Sequence, residues 1–279
     1  ADGSYSYVRN EGTPGGVEET FTYTLTDADG DSDTATLTIA IADADISIIG
    51  LTAEGADLTL DEANLANGSA PDADALVQSG SFTISAADGI AQLSVGGEAI
   101  VQDGVVVGTL PTLTTEAGNV LAITAFTDNG DGTYTVDYRY TLNSNKFHAQ
   151  PEDDTALFQD FAVSVTDNDG DTAGGTLTVE ILDDVPSAED VGAELGAGVY
   201  DAIAGNVMTD GTPDTQGADS ARVTQVVVGD AAPVAVPESG SVEVAGAYGV
   251  LTITADGSYS YVRNEGTPGG VEETFTYTL

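Results

Sequence analysis

The sequence predicts an all-β protein built from antiparallel β-sandwich domains that follow one another in a linear tandem array. Three observations support this prediction: an identical internal repeat, period-two alternation of apolar residues, and Asp-Gly or Asn-Gly pairs between the alternating segments. The repeat is the strongest of the three, because residues 1–25 recur letter for letter at 255–279. Self-similarity at a fixed period is typical of long proteins whose units contact only their neighbours.

Alternation of apolar and polar residues predicts half-buried antiparallel strands. In the segment 20–26, Phe21, Tyr23 and Leu25 share one face, and threonines occupy the other. The segments 37–41, 133–142 and 177–181 repeat this pattern. Five tyrosines in phase with the apolar residues are predicted to be core or semi-core residues rather than a carbohydrate-stacking surface. These tyrosines are Tyr5, Tyr7, Tyr23, Tyr138 and Tyr140.

A diverged copy of one motif divides the period into two sandwiches. The segment 21–31 (FTYTLTDADGD) matches 161–171 (FAVSVTDNDGD) at a shift of 140 residues. The prediction is therefore a C-terminal part of one domain at 1–45, a complete domain at 46–185, and an N-terminal part of a third at 186–279. One short helix is predicted, at 61–66 (DEANLA), ended by an Asn-Gly pair.

Composition narrows the class of protein. The chain has 47 acidic and 5 basic residues, a formal charge of −42, which excludes nucleic acid as a natural partner. It has no cysteine, so disulfides and thiolate metal sites are excluded, and no apolar run that would insert into a membrane. The only histidine, His148, lies in a polar insertion and is predicted to be an exposed loop residue. No nucleophile–base set is visible, so the sequence predicts no enzyme.

Alternating aspartates in Asp-x-Asp-Gly-Asp motifs are the candidate metal ligands. Three carboxylates on alternate residues, with a glycine at the bend, can converge on one hard cation, and calcium is the expected ion. The alternative is a solvated acidic turn. Further aspartates follow each motif, where they could reach the same ion at a domain junction. The predicted ligands are Asp27, Asp29, Asp31, Asp33, Asp43, Asp45, Asp167, Asp169, Asp171, Asp183 and Asp184.

Three weaker acidic segments carry two interpretations each. Residues 128–132 (DNGDG) are predicted to form a plain hairpin turn rather than a ligand set. Residues 210–219 form either a calcium loop or a polar loop. Asp61 and Glu62 either reach a junction from the next domain or simply favour a helix N-terminus.

Residues 46–185 resemble the type I secretion target repeat of giant RTX-type bacterial adhesins. The matching segments are 60–65 (LDEANL), 80–89 (GSFTISAADG), 158–171 and 181–186 (ILDDVP). Residues 200–279, continued by 26–45, are similar to a VCBS-type or cadherin-like bacterial repeat, through 204–208 (AGNVM), 251–261 and 273–279. This resemblance implies Ig-like sandwich domains stiffened by calcium, type I secretion, and display outside the cell, at its surface or in a biofilm.

The function predicted from these features is a structural extender, a stalk that projects a distal adhesive domain whose ligand is not bound by this segment. Its partners are neighbouring repeats of the same chain. Two alternatives remain open: a self-assembling fibre completed by strand exchange with a neighbouring subunit, in which residues 26–45 supply the added strands, and a glycan- or cell-binding module. For the latter, the longer hairpin at 143–153 is the place to look.

Overall fold

The computed structural model describes residues 2–10, 13, 15–148 and 156–279, and divides into two compact units. The first unit comprises Ala1–Leu60, Ala75–Lys146 and Ala156–Leu182. The second comprises Asp61–Asp74, Phe147–Thr155 and Asp183–Leu279. Both are built from antiparallel β-sheets without an α-helix among the described residues, which confirms the predicted all-β class.

The described residues of the first unit form thirteen strands in three sheets. These strands are β1 (Val17–Thr26), β2 (Ser32–Ile41), β3 (Ser47–Ile49), β4 (Leu58–Asp61), β5 (Val77–Ser85), β6 (Ile90–Val95), β7 (Glu98–Gln102), β8 (Val105–Val106), β9 (Thr112–Thr114), β10 (Val120–Asp128), β11 (Thr133–Thr141), β12 (Ala156–Asp167) and β13 (Thr172–Leu182). One sheet has the order β3-β5-β11-β10-β9, a second has the order β4-β13-β12-β6-β7-β8, and β1 pairs with β2 alone.

The two larger sheets of the first unit pack face to face around one apolar core. Alternate residues of β11 and β13 point inward, so Val136, Tyr140 and Leu177 are completely buried, as the period-two pattern predicts. The rings of Tyr140 in β11 and Phe161 in β12 meet edge to face, with centroids 6.3 Å apart, and this contact joins the two sheets. The arrangement is that of an antiparallel β-sandwich.

The β1–β2 hairpin has regular antiparallel pairing but little cover. Its register runs from Val17 opposite Ile41 to Thr26 opposite Ser32. Phe21 and Tyr23 remain about half exposed, and Tyr5 before the hairpin is 67% exposed. The core prediction is therefore confirmed for Tyr138 and Tyr140 and is wrong for Tyr5 and Tyr23, because alternation marks a face that can be covered and does not supply the opposing sheet.

In the second unit, the part of the chain that the structure describes forms seven strands in two sheets. They are β14 (Ile203–Asn206), β15 (Gln225–Val228), β16 (Val234–Ala235), β17 (Ser241–Ala245), β18 (Gly249–Thr254), β19 (Ser258–Arg263) and β20 (Phe275–Thr278). The sheets have the orders β14-β19-β18-β17 and β16-β15-β20. Buried residues of both sheets, including Val226, Val244 and Ile253, form a single core cluster.

The second copy of the 25-residue repeat packs where the first copy does not. Phe275 and Tyr277, which correspond to Phe21 and Tyr23, lie against the core cluster of the second unit. The Phe275 ring meets the Tyr261 ring edge to face, with centroids 6.0 Å apart. The Tyr277 hydroxyl lies 2.9 Å from the Asp214 carboxylate, and burial, followed by this hydrogen bond, raises the pKa of Tyr277 to about 12. The same sequence is therefore about half exposed in the first copy and packed against a core in the second copy.

Local details follow the turn and helix predictions with two differences. The Asp103-Gly104 pair takes positive φ at both residues, the backbone that a tight hairpin needs. The predicted helix at 61–66 shrinks to a 3₁₀ turn at Glu62–Asn64, because Leu65 returns to an extended conformation. His148, predicted to be exposed, is buried at 7% exposure. Part of the 143–153 hairpin lies outside the described residues.

Candidate metal centre

The first Asp-x-Asp-Gly-Asp motif forms the turn between β1 and β2. The Oδ1 atom of Asp27 accepts hydrogen bonds from the backbone N–H groups of Asp29, Gly30 and Asp31 at 3.2, 3.0 and 2.9 Å. Gly30 adopts φ +104°, which a residue with a side chain rarely takes. Ligand atoms of Asp27, Asp29 and Asp31 lie within 4.8 Å of one another, and all three residues are exposed.

The second motif forms the turn between β12 and β13 with the same local geometry. The Oδ1 atom of Asp167 accepts from the N–H groups of Gly170 and Asp171 at 3.0 and 2.8 Å, and Gly170 has φ +105°. Ligand atoms of Asp167, Asp169 and Asp171 again lie within 4.8 Å of one another. The motif therefore determines its own loop: an aspartate that accepts from following amides, and a glycine that allows the bend.

Burial distinguishes the two copies. Asp167 is only 1% exposed, and its Oδ2 atom is buried without a hydrogen-bond partner. A buried carboxylate oxygen without a partner has lost its hydration, and no interaction compensates that loss unless the oxygen binds a cation or a proton. The turn at Asp27 has no such atom, since it faces solvent. The second copy is thus the stronger candidate for a bound ion.

Two further aspartates converge on Asp169. Ligand atoms of Asp43, Asp88 and Asp169 lie within 4.8 Å of one another. Asp88 is 1% exposed, and its Oδ2 atom is buried and has no hydrogen-bond partner. Asp169 belongs to both groups, so five carboxylates surround one small region: Asp43, Asp88, Asp167, Asp169 and Asp171. This set is called the Asp169 cluster below.

The segment before β1 closes this cluster on one side. The Gly15 N–H donates to Asp169 Oδ2 at 3.1 Å. A Cβ atom at Gly15 would lie 2.7 Å from Asp88 Oδ2 and 2.8 Å from Asp43 Oδ1, so only glycine fits there. Arg9 forms an ion pair with Asp88 through the other oxygen, Oδ1. The Oδ2 atom of Asp88 therefore remains directed toward Asp43 and the Gly15 backbone.

Protons compete with a cation for the Asp169 cluster. A side-chain hydrogen bond with Asp169, followed by burial, raises the pKa of Asp43. Burial, followed by the interaction with the Asp169 carboxyl group, raises the pKa of Asp167. The interaction with the side chain of Asp167, together with that of Asp43, lowers the pKa of Asp169. Asp27, by contrast, has a lowered pKa through hydrogen bonds with Asp29 and backbone N–H groups.

The donor set of the Asp169 cluster suits a hard cation. It offers only carboxylate oxygens, several of them from one turn, and calcium accepts six to eight oxygens in irregular geometry. Magnesium demands near-octahedral geometry and keeps several waters. The Asp169 cluster does not impose such a geometry. The cluster therefore fits calcium by ligand type, by charge and by the two buried oxygens.

The structure places the remaining predicted ligands elsewhere. The Oδ1 atom of Asp33 accepts from the Thr34 N–H in β2, and Asp45 is exposed; neither joins an acidic group among the described residues. Asp183 lies with Glu62 and His148 in the second unit. Both oxygens of Asp184 accept from Ser69, at 2.7 Å from its N–H and 2.5 Å from its hydroxyl.

The weaker loops behave as polar loops. At 128–131, Asp128 accepts from the Gly130 N–H at 2.8 Å and Asp131 from the Thr133 hydroxyl at 2.6 Å, which is a self-bonded hairpin turn. At 210–219, Asp210 accepts from the Asn206 N–H at 2.7 Å. Asp214 accepts from the Glu189 N–H and the Tyr277 hydroxyl, so both aspartates have structural partners.

Sequence reasoning missed Asp88 and Gly15, and it did not connect Glu62 with His148. Asp88 stands before a glycine, as many turn aspartates do, and nothing in its local sequence shows that it is buried beside Asp43. No protein-family model matches this chain, and no curated protein matches its sequence. The described residues contain no helix long and apolar enough to cross a membrane.

Proposed function

We propose that this chain is an extender segment of a large bacterial surface adhesin, stiffened by calcium and displayed outside the cell. The observation that supports this most is the Asp169 cluster. It brings together Asp43, which follows β2, and Asp88 with the β12–β13 turn, which belong to the next sandwich in the chain. A calcium ion held there would tie the segments on both sides of residue 45 to each other.

The chemistry of the rest of the chain is consistent with a structural role. The tandem repeat, the charge of −42 and the absence of a nucleophile–base set support a spacer rather than an enzyme or a nucleic-acid-binding protein. With so many carboxylates, the folded chain repels itself unless cations bind, and calcium supplies that charge. The neighbouring repeats would be its main partners, and a distal domain would carry the adhesive ligand site.

Small-angle scattering on the 279-residue chain tests the stalk proposal. We expect the calcium-loaded protein to show a narrower distribution of conformations and a longer maximum dimension than the same protein in chelator. The physical reason is that the ion replaces carboxylate repulsion at the Asp169 cluster with shared coordination. Magnesium at the same concentration serves as the control. Identical scattering profiles in calcium and in chelator would remove the basis for a calcium-stiffened stalk.

A self-assembling fibre is the second candidate function, and one observation favours it. Strand β20 has the same sequence as Phe21–Thr24 in β1. In β1 this segment pairs in register with β2. Among the described strands, β20 pairs only with β15. The β2 strand of another copy has the side chains to fit the other edge of β20. Sedimentation over a range of protein concentrations decides: concentration-dependent growth supports the fibre, and a constant monomer excludes it.

A further inference from the structure

A histidine and two carboxylates meet in the second unit. Ligand atoms of Glu62, His148 and Asp183 lie within 4.8 Å of one another. The side chains of Glu62 and His148 are 0% and 2% exposed, and Asp183 is half-buried. The three residues come from distant parts of the chain: the 3₁₀ turn, the segment after β11, and the end of β13.

Neighbouring residues hold this trio in place. Asp61 caps the 3₁₀ turn by accepting from the Ala63 N–H at 2.8 Å, which fixes the backbone at Glu62. Asp184 accepts both hydrogen bonds from Ser69, which fixes the backbone next to Asp183. Gly217 packs so closely on the Asp184 carbonyl that a Cβ would lie 2.0 Å from its oxygen. Ligands on supported backbone are the arrangement that a metal site needs.

Distance and charge both indicate a metal ion. For Zn–N and Zn–O bonds of about 2.1 Å at a tetrahedral angle, two ligand atoms lie roughly 3.4 Å apart. His148 Nε2 and Glu62 Oε1 are 3.5 Å apart, which matches that spacing and is longer than a strong charged hydrogen bond. Within the trio, a divalent ion would balance the charge of the two carboxylates beside a neutral imidazole.

We propose that Glu62, His148 and Asp183 form a binding site for zinc or a similar borderline transition metal, distinct from the calcium cluster. Calcium binds oxygen ligands, whereas imidazole nitrogen and carboxylate oxygen are both zinc ligands, and three protein ligands leave a fourth position for water. The metal would link three distant chain segments within the second unit. This inference reassigns Asp183 from a calcium site to a site for a metal that binds nitrogen ligands. It does not depend on the stalk proposal.

Titration of the 279-residue chain with Zn²⁺ in the presence of excess calcium tests the site. We expect one zinc ion to bind the wild type and His148→Gln to weaken binding by at least about 100-fold, since an imidazole ligand is lost. Co²⁺ should give intense visible absorption bands typical of four-coordinate geometry in the wild type and not in His148→Gln. Asp169→Asn, which changes the calcium cluster, should bind zinc as the wild type does.

Two further measurements keep the result interpretable. Circular dichroism in the aromatic region verifies that His148→Gln is folded, and Glu62→Gln, which keeps the side-chain shape, should also weaken zinc binding if His148→Gln fails to fold. Equal zinc affinity of the wild type and both variants would overturn the site, because the ion would then sit on surface carboxylates. Absence of zinc binding to the folded wild type would overturn it as well, whatever calcium does.

Discussion

Asp169→Asn should abolish most of the stabilisation that calcium gives to the first unit. Asp169 is the carboxylate shared by both acidic groups of the cluster, so the substitution lowers the negative charge at the centre of the site and replaces one carboxylate oxygen by an amide nitrogen, which does not bind a cation. At a calcium concentration 100 times the dissociation constant, binding stabilises the fold by about 2.7 kcal/mol, a melting shift of roughly 5–10 °C. We expect this shift in the wild type and about a third of it or less in the variant, measured by scanning calorimetry with and without chelator.

The chain supplies a matched control for this substitution. Asp29 occupies the equivalent position in the first motif, where the turn is exposed and receives no carboxylate from elsewhere among the described residues. Asp29→Asn should therefore keep most of the calcium shift. In chelator, Asp169→Asn should melt at or above the wild-type temperature, because asparagine still accepts from the Gly15 N–H and carries no charge. Equal calcium shifts in Asp169→Asn and the wild type would show that the cluster is only a solvated turn.

The comparison of the two motifs shows how far sequence carries a prediction of a site. The local loop was predictable, since Asp167 and Gly170 determine it through backbone hydrogen bonds and positive φ. The contribution of Asp88 to the cluster was not predictable from the sequence, because its position beside Asp43 depends on how separate strands pack. His148 shows the same limit: a polar neighbourhood in the sequence predicts exposure, but contacts from Glu62 and Asp183 are made in three dimensions.

The fold followed more directly from the sequence because strands carry their own pattern. Alternation in 133–142 and 177–181 correctly marked residues that are now buried, such as Val136 and Leu177. The same rule failed for Tyr23, although Tyr277 has identical neighbours in sequence and packs against a core. Alternation therefore predicts which face is apolar, and the tertiary structure decides whether that face is covered.

Phe275→Ala should destabilise the second unit strongly, whereas the identical change at Phe21 should not affect the first unit comparably. Phe275 packs on the core cluster and against the Tyr261 ring at 6.0 Å, so truncation leaves a cavity. Removing a fully buried Phe costs 3–5 kcal/mol, and for this partly buried ring we expect about 2 kcal/mol. Phe21 is 46% exposed and contacts the Tyr7 ring at 6.3 Å, so we expect less than about 1 kcal/mol.

Calorimetry of both variants, combined with hydrogen exchange at β15 and β18, measures these effects separately. The transition of the second unit should fall by roughly 5–10 °C in Phe275→Ala, with faster exchange of the Val226 and Leu251 amides. Phe21→Ala should leave that transition unchanged. Equal losses in the two variants would mean that the β1–β2 hairpin is covered in solution. No described segment covers the β1–β2 hairpin, so a second copy of the chain would be the first partner to test. The pair of substitutions therefore separates an isolated stalk segment from an assembling fibre.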